Sequence, residues 1–341
     1  MQYTALGDSG IRVSRVSMGC MGFGEASAGQ HSWTLDEDAS REIITYGLEQ
    51  GITFFDTAIG YQGGTSEQYL GRALRQCARR EEVVVATKFL PRPAQAIDAG
   101  LSGAEHLRQS LEASLRNLGM DHVDLYILHM WDWGTPIEEY LAALTRAVRE
   151  GKVRAIGIAN AFAWQVAQAN ALAQAHGWER FVSVQNHYNL LFREEEREMT
   201  VFADQNNIAL TPYSALAGGR LARPVGTVTR RLREDAYARM KYDATAEADA
   251  VVIDRVAQVA ARHSASMTEV SLAWLLTRTA APVVGMTKRS HVEGAVGAMD
   301  LVLDDADLAA LEEAYVPHPL VGVMAQNTPA AARLNRARHR A

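Results

Sequence analysis

The feature that most constrains this chain is a repeated alternation of short apolar runs with longer amphipathic segments. Short, β-prone apolar runs predict buried strands, and the segments between them have the spacing of helices with one apolar face. The predicted strands cover residues 16–18, 53–55, 83–86, 125–128, 155–158, 182–184, 208–211 and 283–284. The predicted helices begin near Asp36, Ser66, Ser102, Pro136, Ala163, Glu194, Ala246 and Arg289. Eight such units in 341 residues predict an α/β protein folded as a closed (β/α)8 barrel, the TIM barrel.

Other features refine this architecture. A polar turn at residues 7–10, between two apolar runs, predicts an N-terminal β-hairpin, and residues 214–244 are predicted to be a long loop after the seventh barrel strand. No linker divides the body, so residues 1–320 are predicted to be one barrel domain, with a flexible C-terminal tail at 321–341. A doubly wound sheet is the alternative architecture. No Gly-x-Gly-x-x-Gly follows an early strand, so the usual dinucleotide-binding fingerprint is absent.

The composition bounds the class of protein. The net charge is −6 and the body contains no basic block, so nucleic acid is not an expected partner. Basic residues cluster only in the last few positions, where a frayed tail accounts for them. The two cysteines, Cys20 and Cys77, fit a reducing compartment, and the sequence has no apolar leader or membrane-spanning run. We therefore expect a cytoplasmic, enzyme-sized protein with no membrane association and no metal site.

The stretch GITFFDTAIGYQGGTSEQYLG, residues 51–71, carries the first candidate chemistry. Its apolar run predicts a strand that ends at Asp56, and a Gly-rich loop with Tyr61 follows before the next helix. An acid and a phenol therefore lie at the carboxyl end of a strand, where barrels and open α/β sheets place their active sites. The structural alternative is an N-capping Asp56 beside a packing Tyr61.

The next two strand ends add a lysine and a histidine, Lys88 and His129. A free tyrosine has a pKa of about 10 and is a weak acid at neutral pH unless its anion is stabilised. A nearby ammonium would stabilise that anion, and Asp56 would hold Lys88 in place. His129 could donate a hydrogen bond to a substrate oxygen. Individually, Lys88 could be a rim ion pair and His129 a buried imidazole, but together with Asp56 and Tyr61 they predict a proton-transfer site.

The chain resembles the aldo-keto reductases over residues 2–320. The motifs that carry the resemblance are FDTAIGY at 55–61, ATK at 86–88, LYILH at 125–129, VQNHYNLL at 184–191, PYSALAGGRL at 212–221 and PVVGMTKRSHVEGAV at 282–296. The nearest branch includes a bacterial reductase linked to 1-deoxyxylulose-5-phosphate and fungal versiconal hemiacetal acetate reductase. The resemblance implies NADP(H) bound across the carboxyl rim of the barrel. It also implies hydride transfer to a carbonyl carbon, with Asp56, Tyr61, Lys88 and His129 as the catalytic tetrad and Tyr61 as general acid.

The resemblance also implies a set of cofactor contacts. In it, Asn160 and Gln185 bind the nicotinamide carboxamide, and Tyr213 stacks on the ring. The remaining contacts are Gly19, Met21 and Asp56 near the reacting end, Ser214, Leu216, Gly218 and Arg220 at the pyrophosphate, and Gly285, Thr287, Lys288 and His291 at the adenosine 2′-phosphate. The chain departs from the family pattern at Ala159, where Ser is usual, at Gly294 and Ala295, where an acid and Asn are common, and at Tyr213, where this branch often has Trp.

The substrate is less constrained. Aromatic residues near the strand ends favour a bulky alicyclic or aromatic aldehyde or ketone, bound by Phe23, Trp33, Phe89 and Trp131. One alternative is a sugar-phosphate enzyme of the same branch, for which Arg92 is a candidate cation. Another is a cofactor-binding regulatory subunit like the potassium-channel β-subunits. The sequence leaves the substrate, the favoured direction and the oligomeric state open.

Overall fold

The structure is a computed structural model that describes residues 1–328. The strands in this range are β1 (Tyr3–Ala5), β2 (Arg12–Ser14), β3 (Ser17–Gly19), β4 (Phe54–Asp56), β5 (Val84–Phe89), β6 (Val123–Leu128), β7 (Val153–Ala159), β8 (Phe181–Gln185), β9 (Ala209–Leu210) and β10 (Val283–Gly285). The α-helices in it are α1 (Glu37–Glu49), α2 (Thr65–Cys77), α3 (Ala94–Asp98), α4 (Gly103–Leu118), α5 (Ile137–Arg149), α6 (Ala163–His176), α7 (Met199–Gln205), α8 (Arg230–Glu234), α9 (Ala236–Tyr242), α10 (Ala246–His263), α11 (Met267–Leu276), α12 (Arg289–Gly297), α13 (Asp305–Glu312) and α14 (Gly322–Gln326).

The eight strands β3 to β10 form one parallel sheet in the order β10-β3-β4-β5-β6-β7-β8-β9. The sheet closes on itself next to β9, because the Val283 N–H donates to the Pro212 carbonyl at 2.8 Å and the Ala280 N–H to the Leu210 carbonyl at 3.0 Å. The predicted (β/α)8 barrel is therefore confirmed, and all eight predicted strands are present with small shifts at their ends. The doubly wound alternative is wrong, since that sheet would stay open.

The barrel has two apolar cores because side chains alternate between the faces of each strand. One set, including Phe54, Ala86 and Ile127, packs inside the barrel. The other set, including Phe55 and Tyr126, packs in the larger core with the surrounding helices. Each strand is thus buried on both faces, which explains why the strands read as continuous apolar runs.

The predicted N-terminal hairpin is confirmed and closes one end of the barrel. Strands β1 and β2 pair antiparallel. Leu6, Ile11 and Val13 from this hairpin are buried in the interior core together with strand residues such as Phe54 and Leu125. The hairpin therefore seals the end opposite the carboxyl rim and leaves the rim as the accessible mouth.

Most predicted helix starts hold to within one residue, and the exceptions are informative. Glu194 begins a 3-10 turn, Glu194–Arg197, and α7 begins only at Met199. Helix α11 was missed, because its residues are buried on nearly every side and therefore show no amphipathic spacing. Helix α13 was also missed, although Asp304 caps it well.

The long segment after the seventh barrel strand is present but is not irregular. It contains a 3-10 segment, Ala217–Ala222, followed by α8 and α9. Leu221, Ala238 and Tyr242 are buried, so the segment packs against the barrel as an ordered lobe.

The first residues of the expected flexible tail are ordered and packed against the rest of the protein. Residues 322–326 form α14, and the next residue, Asn327, is 1% exposed. Such a short segment is too brief to show the apolar periodicity that would reveal docking, and one of its two anchors, Met324 and Asn327, is a polar amide. Residues 329–341, with the basic cluster, lie outside the described part of the chain, and the domain boundary at 320 stays a prediction. Among the helices of residues 1–328, none has the length and apolarity needed to cross a membrane.

Candidate active site

Strand parity directs several polar side chains to one point inside the carboxyl rim. Phe54 on β4 and Ala86 on β5 belong to the interior core. Because side chains alternate, the residues two positions further on, Asp56 and Lys88, face the same interior. His129 follows the end of β6 by the same rule, and its backbone N–H bonds to the Phe89 carbonyl at 2.9 Å. Three neighbouring strands thus deliver an acid, an ammonium and an imidazole to one site.

The centre of the site is a fully buried ion pair. Lys88 is 0% exposed and its Nζ lies 2.5 Å from Asp56 Oδ1 and 2.8 Å from the Thr57 carbonyl. The second Asp56 oxygen, Oδ2, accepts from Gln185 Nε2 at 2.8 Å. Burial acts to lower the pKa of Lys88, but Asp56 and Tyr61 outweigh it and the net shift is upward. The ammonium therefore stays charged at neutral pH.

Tyr61 lies beside this ammonium. It opens the 3-10 turn Tyr61–Gly64 directly after the β4 strand, and its hydroxyl is 3.3 Å from Lys88 Nζ. The loop is held by Gln62, whose side-chain amide donates to the carbonyls of Glu25 and His31. Burial raises the pKa of Tyr61, while the Lys88 charge acts in the opposite direction. The expected effect of Lys88 on the pKa of Tyr61 is present, but the effect of burial is larger and the net shift is upward. Tyr61 therefore remains a protonated phenol at neutral pH.

His129 completes the cluster as a neutral imidazole. Its ring meets the Tyr61 ring edge-on, with 5.9 Å between centroids and an interplanar angle of 78°. Burial, followed by the Lys88 charge, lowers the pKa of His129 to about 3. Its Nδ1 is enclosed without a hydrogen-bond partner among the described residues. A neutral ring carries one N–H, and with that proton on Nε2 the ring can donate a hydrogen bond to a substrate oxygen.

Asn160 and Gln185, the two residues expected to bind a carboxamide, lie at adjacent strand ends. Asn160 Nδ2 donates to the His129 carbonyl at 2.8 Å, and Asn160 Oδ1 accepts from the Tyr213 hydroxyl at 2.9 Å. Each side-chain amide has two N–H donors and an oxygen with two lone pairs. Asn160 therefore keeps one donor and one lone pair, and Gln185 keeps a donor after bonding Asp56. This remaining capacity fits a carboxamide.

Tyr213 has a rigid backing. Its ring lies 5.5 Å from the buried His187 ring at an interplanar angle of 21°, and Phe192 stacks on His187 at 4.2 Å. Lys241 Nζ is 5.2 Å from the Tyr213 ring centroid and donates to Ser214 Oγ at 2.6 Å. A supported aromatic platform of this kind suits a flat heterocycle such as nicotinamide.

The segment after Tyr213 has the backbone of an anion-binding loop. Four of its residues have positive φ, namely Ser214 (59°), Ala217 (49°), Gly218 (66°) and Gly219 (99°). Such turns expose successive backbone N–H groups that bind anions. Arg220 pairs with Asp243 through Nη2 at 2.7 Å, whereas its Nη1 is buried without a partner among the described residues. The loop with Ser214, Leu216, Gly218 and Arg220 therefore fits a pyrophosphate.

The expected 2′-phosphate end lies at the start of α12. Lys288 is exposed at the N-cap position, and the Thr287 N–H points at His291 Nδ1 at 3.3 Å. Arg289 is engaged elsewhere, with Glu42 at 2.9 Å and over the Tyr46 ring at 5.0 Å. Lys288 is thus the better placed of the two cations for a phosphate at this helix terminus.

The glycines near this end allow close packing of the rim. A Cβ on Gly19 would lie 2.9 Å from a Val283 methyl, and one on Gly22 would lie 2.9 Å from a Thr287 methyl. The 3-10 turn Cys20–Gly22, which carries the half-buried Met21, therefore lies directly against the loop from Gly285 to Thr287. At the family departures, a Cβ on Gly294 would come within 3.0 Å of Thr268, and Ala295 is fully buried.

Two of the four expected substrate-wall residues are core residues instead. Phe23 and Phe89 are both 0% exposed, and Phe89 stacks on Tyr126 at 5.0 Å. They support the site from behind and do not line an open pocket. Trp131 is 8% exposed and Trp33 is half-buried, so these two remain candidates for the wall.

A cluster of three tryptophans near the rim was only partly anticipated. Trp133 lies 6.3 Å from Trp131 and 6.0 Å from Trp164, measured between ring centroids. Trp164, at the start of α6, is 49% exposed. Because the substrate wall is predicted from residues near strand ends, Trp164, which lies on a helix, is not among the predicted residues.

Arg92, the candidate cation for a sugar phosphate, is occupied by structural contacts. Its guanidinium donates to Thr135 Oγ1 at 3.1 Å, the Leu101 carbonyl at 2.7 Å and the Gly134 carbonyl at 3.0 Å. These bonds hold two loops together, so Arg92 gives the sugar-phosphate alternative no support. No group of three or more His, Cys, Asp or Glu suited to a metal ion occurs within residues 1–328.

The chain is similar to known proteins in sequence and in fold. Residues 20–316 match the model of the aldo/keto reductase family. The chain is 35% identical to versiconal hemiacetal acetate reductase of Aspergillus parasiticus, over 94% of this chain and 99% of that protein. It is 32% identical to norsolorinic acid reductase B of Dothistroma septosporum, over 89% of this chain and 79% of that protein. The fold resembles the crystal structure of a thermostable aldo-keto reductase, Tm1743, bound to epalrestat, with a TM-score of 0.74 and 25% identity across 92% of this chain.

The buried ion pair generates a prediction that separates stability from chemistry. Asp56→Asn and Lys88→Met should each lower the free energy of unfolding by roughly 3–5 kcal/mol, because each leaves one buried charge unpaired. The double variant should regain most of that loss, because no unpaired charge remains. Carbonyl reduction should stay lost in all three variants, since the ammonium is absent or misplaced.

Urea unfolding and activity of the four proteins would be measured side by side. A double variant as unstable as the worse single variant would mean that charge pairing is not what holds this site together. Activity in Lys88→Met would show that the ammonium has no chemical role.

Proposed function

This chain belongs to the aldo/keto reductase family, and we propose that it reduces an aldehyde or ketone to the alcohol, reversibly, with NADPH as the hydride donor. The observation that carries the proposal is the Lys88 ammonium, which is held by Asp56 on one side and lies 3.3 Å from the Tyr61 hydroxyl on the other. This arrangement supplies a protonated phenol next to a charge that stabilises its anion.

The side chains have complementary tasks in the proposed reaction. When bound, the nicotinamide would supply the hydride that the chain itself lacks. His129, held neutral, donates from Nε2 to the substrate oxygen and orients the carbonyl. Tyr61 gives its proton to that oxygen as negative charge develops, and Lys88 stabilises the phenolate that remains. Alcohol oxidation uses the same groups in reverse, with Tyr61 as base.

The charge of the rim supports NADP(H) over NAD(H). A 2′-phosphate carries up to two negative charges and several acceptor oxygens. Lys288, the Thr287 hydroxyl and the free N–H groups at the start of α12 suit that anion. The rest of the dinucleotide would be held by other residues of the rim. Asn160 and Gln185 would bind the carboxamide, Tyr213 would stack on the nicotinamide ring, and Arg220 would bind the pyrophosphate.

A bulky aromatic or alicyclic carbonyl is the proposed substrate class. The support is the cluster of Trp131, Trp133 and Trp164, together with the names of relatives that reduce versiconal hemiacetal acetate and norsolorinic acid. A reducing, cytoplasmic setting is part of the proposal, because both cysteines are free thiols. A cofactor-binding regulatory role would need the same cofactor site but no turnover.

The experiment that tests the proposal is a screen of aryl ketones, cyclic ketones, aromatic aldehydes and small aliphatic aldehydes, with NADPH consumption and alcohol formation as readouts. We expect turnover with at least one aromatic or alicyclic carbonyl. Tight NADPH binding without turnover on any carbonyl would instead favour the regulatory role.

Tyr61→Phe should abolish turnover while NADPH still binds with nearly unchanged affinity. The substitution removes the proton donor, but the ring still fills its space and the cofactor contacts lie on other residues. Steady-state rates and fluorescence titration of NADPH would be compared with the wild type. A kcat within a few-fold of wild type on a good ketone would show that Tyr61 is not the acid.

Lys288→Ala should weaken NADPH by about tenfold to a hundredfold, because one charge-assisted contact is worth roughly 1.5–3 kcal/mol. NADH should be nearly unaffected, since it presents only a hydroxyl at that position. Arg289→Ala is the matched control, because Arg289 is held by Glu42 and Tyr46. Both cofactors would be titrated by intrinsic fluorescence against the three proteins, and equal wild-type affinities for NADH and NADPH would contradict the assignment.

A further inference from the structure

Asn327 makes four side-chain hydrogen bonds near the end of the described part of the chain. It follows α14 and is 1% exposed. Its Nδ2 donates to the Asn160 carbonyl at 3.0 Å and to Gln165 Oε1 at 2.7 Å. Its Oδ1 accepts from Trp133 Nε1 at 3.0 Å and from Gln165 Nε2 at 3.1 Å. Both donors and both acceptor positions of the amide are therefore in use.

These bonds leave the amide a single orientation. A backbone carbonyl can only accept, so Nδ2 must face Asn160. An indole N–H can only donate, so Oδ1 must face Trp133. A side chain that merely filled this space would be apolar, and only an amide of this length meets both demands. The match indicates a role for Asn327 that is more specific than packing.

The bond to Asn160 restrains a residue in an unusual conformation. Asn160 has a φ of 53°, in the left-handed region that residues other than glycine seldom adopt. Its side chain is held by His129 and Tyr213, at 2.8 and 2.9 Å. Its carbonyl is held by Asn327. Rotation of this backbone would redirect the amide that is proposed to bind the carboxamide, so the bond from Asn327 preserves the aim of that side chain.

The bond to Trp133 reaches the other half of the site. Trp133 packs against Trp131 and Trp164. Its indole N–H is fixed by Asn327, which sets the tilt of the ring within this cluster. The same amide thus touches the residue expected to hold the cofactor carboxamide and the wall expected to face the substrate.

We propose that Asn327 is a positioning residue which aligns the nicotinamide half of the cofactor site and the tryptophan wall together. The inference rests on the proposed NADPH-dependent reductase function. It assigns Asn327 no contact with the adenosine half, because the start of α12 is formed by other residues. Loss of Asn327 should therefore weaken the grip on the nicotinamide end and leave binding at the phosphate end intact.

The test compares two probes on four full-length proteins. NADPH carries the nicotinamide, whereas adenosine 2′,5′-bisphosphate carries only the adenosine end. The proteins are the wild type, Asn327→Leu, Trp133→Phe and Met324→Ala. Asn327→Leu keeps the volume of the side chain but makes none of its hydrogen bonds. Met324 is a buried residue of α14, so Met324→Ala loosens the same segment without touching Asn160. Dissociation constants would be measured by fluorescence, and melting temperatures without ligand.

Asn327→Leu should raise the Kd for NADPH about tenfold while the Kd for the bisphosphate stays within about twofold. It should also lower kcat/KM for aromatic ketones more than for small aldehydes. Trp133→Phe should show that substrate effect alone, with both dissociation constants unchanged. Met324→Ala should lower the melting temperature without changing the ratio of the two dissociation constants.

An Asn327→Leu protein with both dissociation constants unchanged, or with both raised by the same factor, would overturn the proposal. Should that variant not fold, Asn327→Ser, with a smaller side chain, is held to the same criterion. A wild type that binds NADPH tightly but reduces no carbonyl would contradict the proposed function alone, because the ratio of the two constants is measured without turnover.

Discussion

The structure depends on one buried ammonium. Lys88 is enclosed in the carboxyl end of the barrel, where an unpaired charge would be strongly unfavourable, and Asp56 on the neighbouring strand compensates it. The register of β4 and β5 pairs Asp56 with Ala86, and Lys88 follows two residues further along β5 on the same inward face. Gln185 occupies the second carboxylate oxygen. Lys88 therefore stays protonated, and its ammonium is held in place next to the Tyr61 hydroxyl.

Two neighbours take opposite protonation states from the same environment. Burial keeps Tyr61 protonated by raising its pKa, and burial together with the Lys88 charge keeps His129 neutral. At neutral pH the Tyr61 phenol therefore carries a proton that it can transfer. The His129 imidazole is neutral and can donate a hydrogen bond through its one N–H. These two protonation states are the ones that the proposed roles require, with Tyr61 as acid and His129 as the donor that orients the substrate.

Much of the catalytic cluster could be predicted from the sequence because the end of each apolar run marks the end of a strand. Asp56 closes an apolar run, and Lys88 and His129 follow the same pattern, so their convergence follows from parity and parallel direction. The resemblance to aldo-keto reductases implied a set of cofactor contacts that spacing alone would not have suggested, and these contacts stay a prediction. The closed barrel was the expected architecture because the chain contains eight strand–helix units, the number found in a (β/α)8 barrel.

The rest depended on long-range packing that a local pattern does not carry. Phe23 and Phe89 lie near strand ends, where an aromatic residue can line a substrate pocket. The sequence around such a residue does not show whether its side chain faces the pocket or the core. Asn327 follows a helix of only five residues, and its partner Asn160 is 167 positions away in the chain. Lys241 likewise contacts Ser214 only because the ordered lobe folds back on the barrel, and no local pattern in the sequence indicates that contact.

The proposed reaction depends on Tyr61, and not His129, giving the proton to the substrate oxygen. The pH profile of carbonyl reduction at saturating NADPH tests it most directly. We expect kcat/KM for the ketone to be flat from about pH 5 to pH 9 and to fall only above that range, because Tyr61 stays protonated there and His129, with a pKa of about 3, does not titrate. A profile that falls through about pH 6.5, the usual pKa of a histidine, would contradict it.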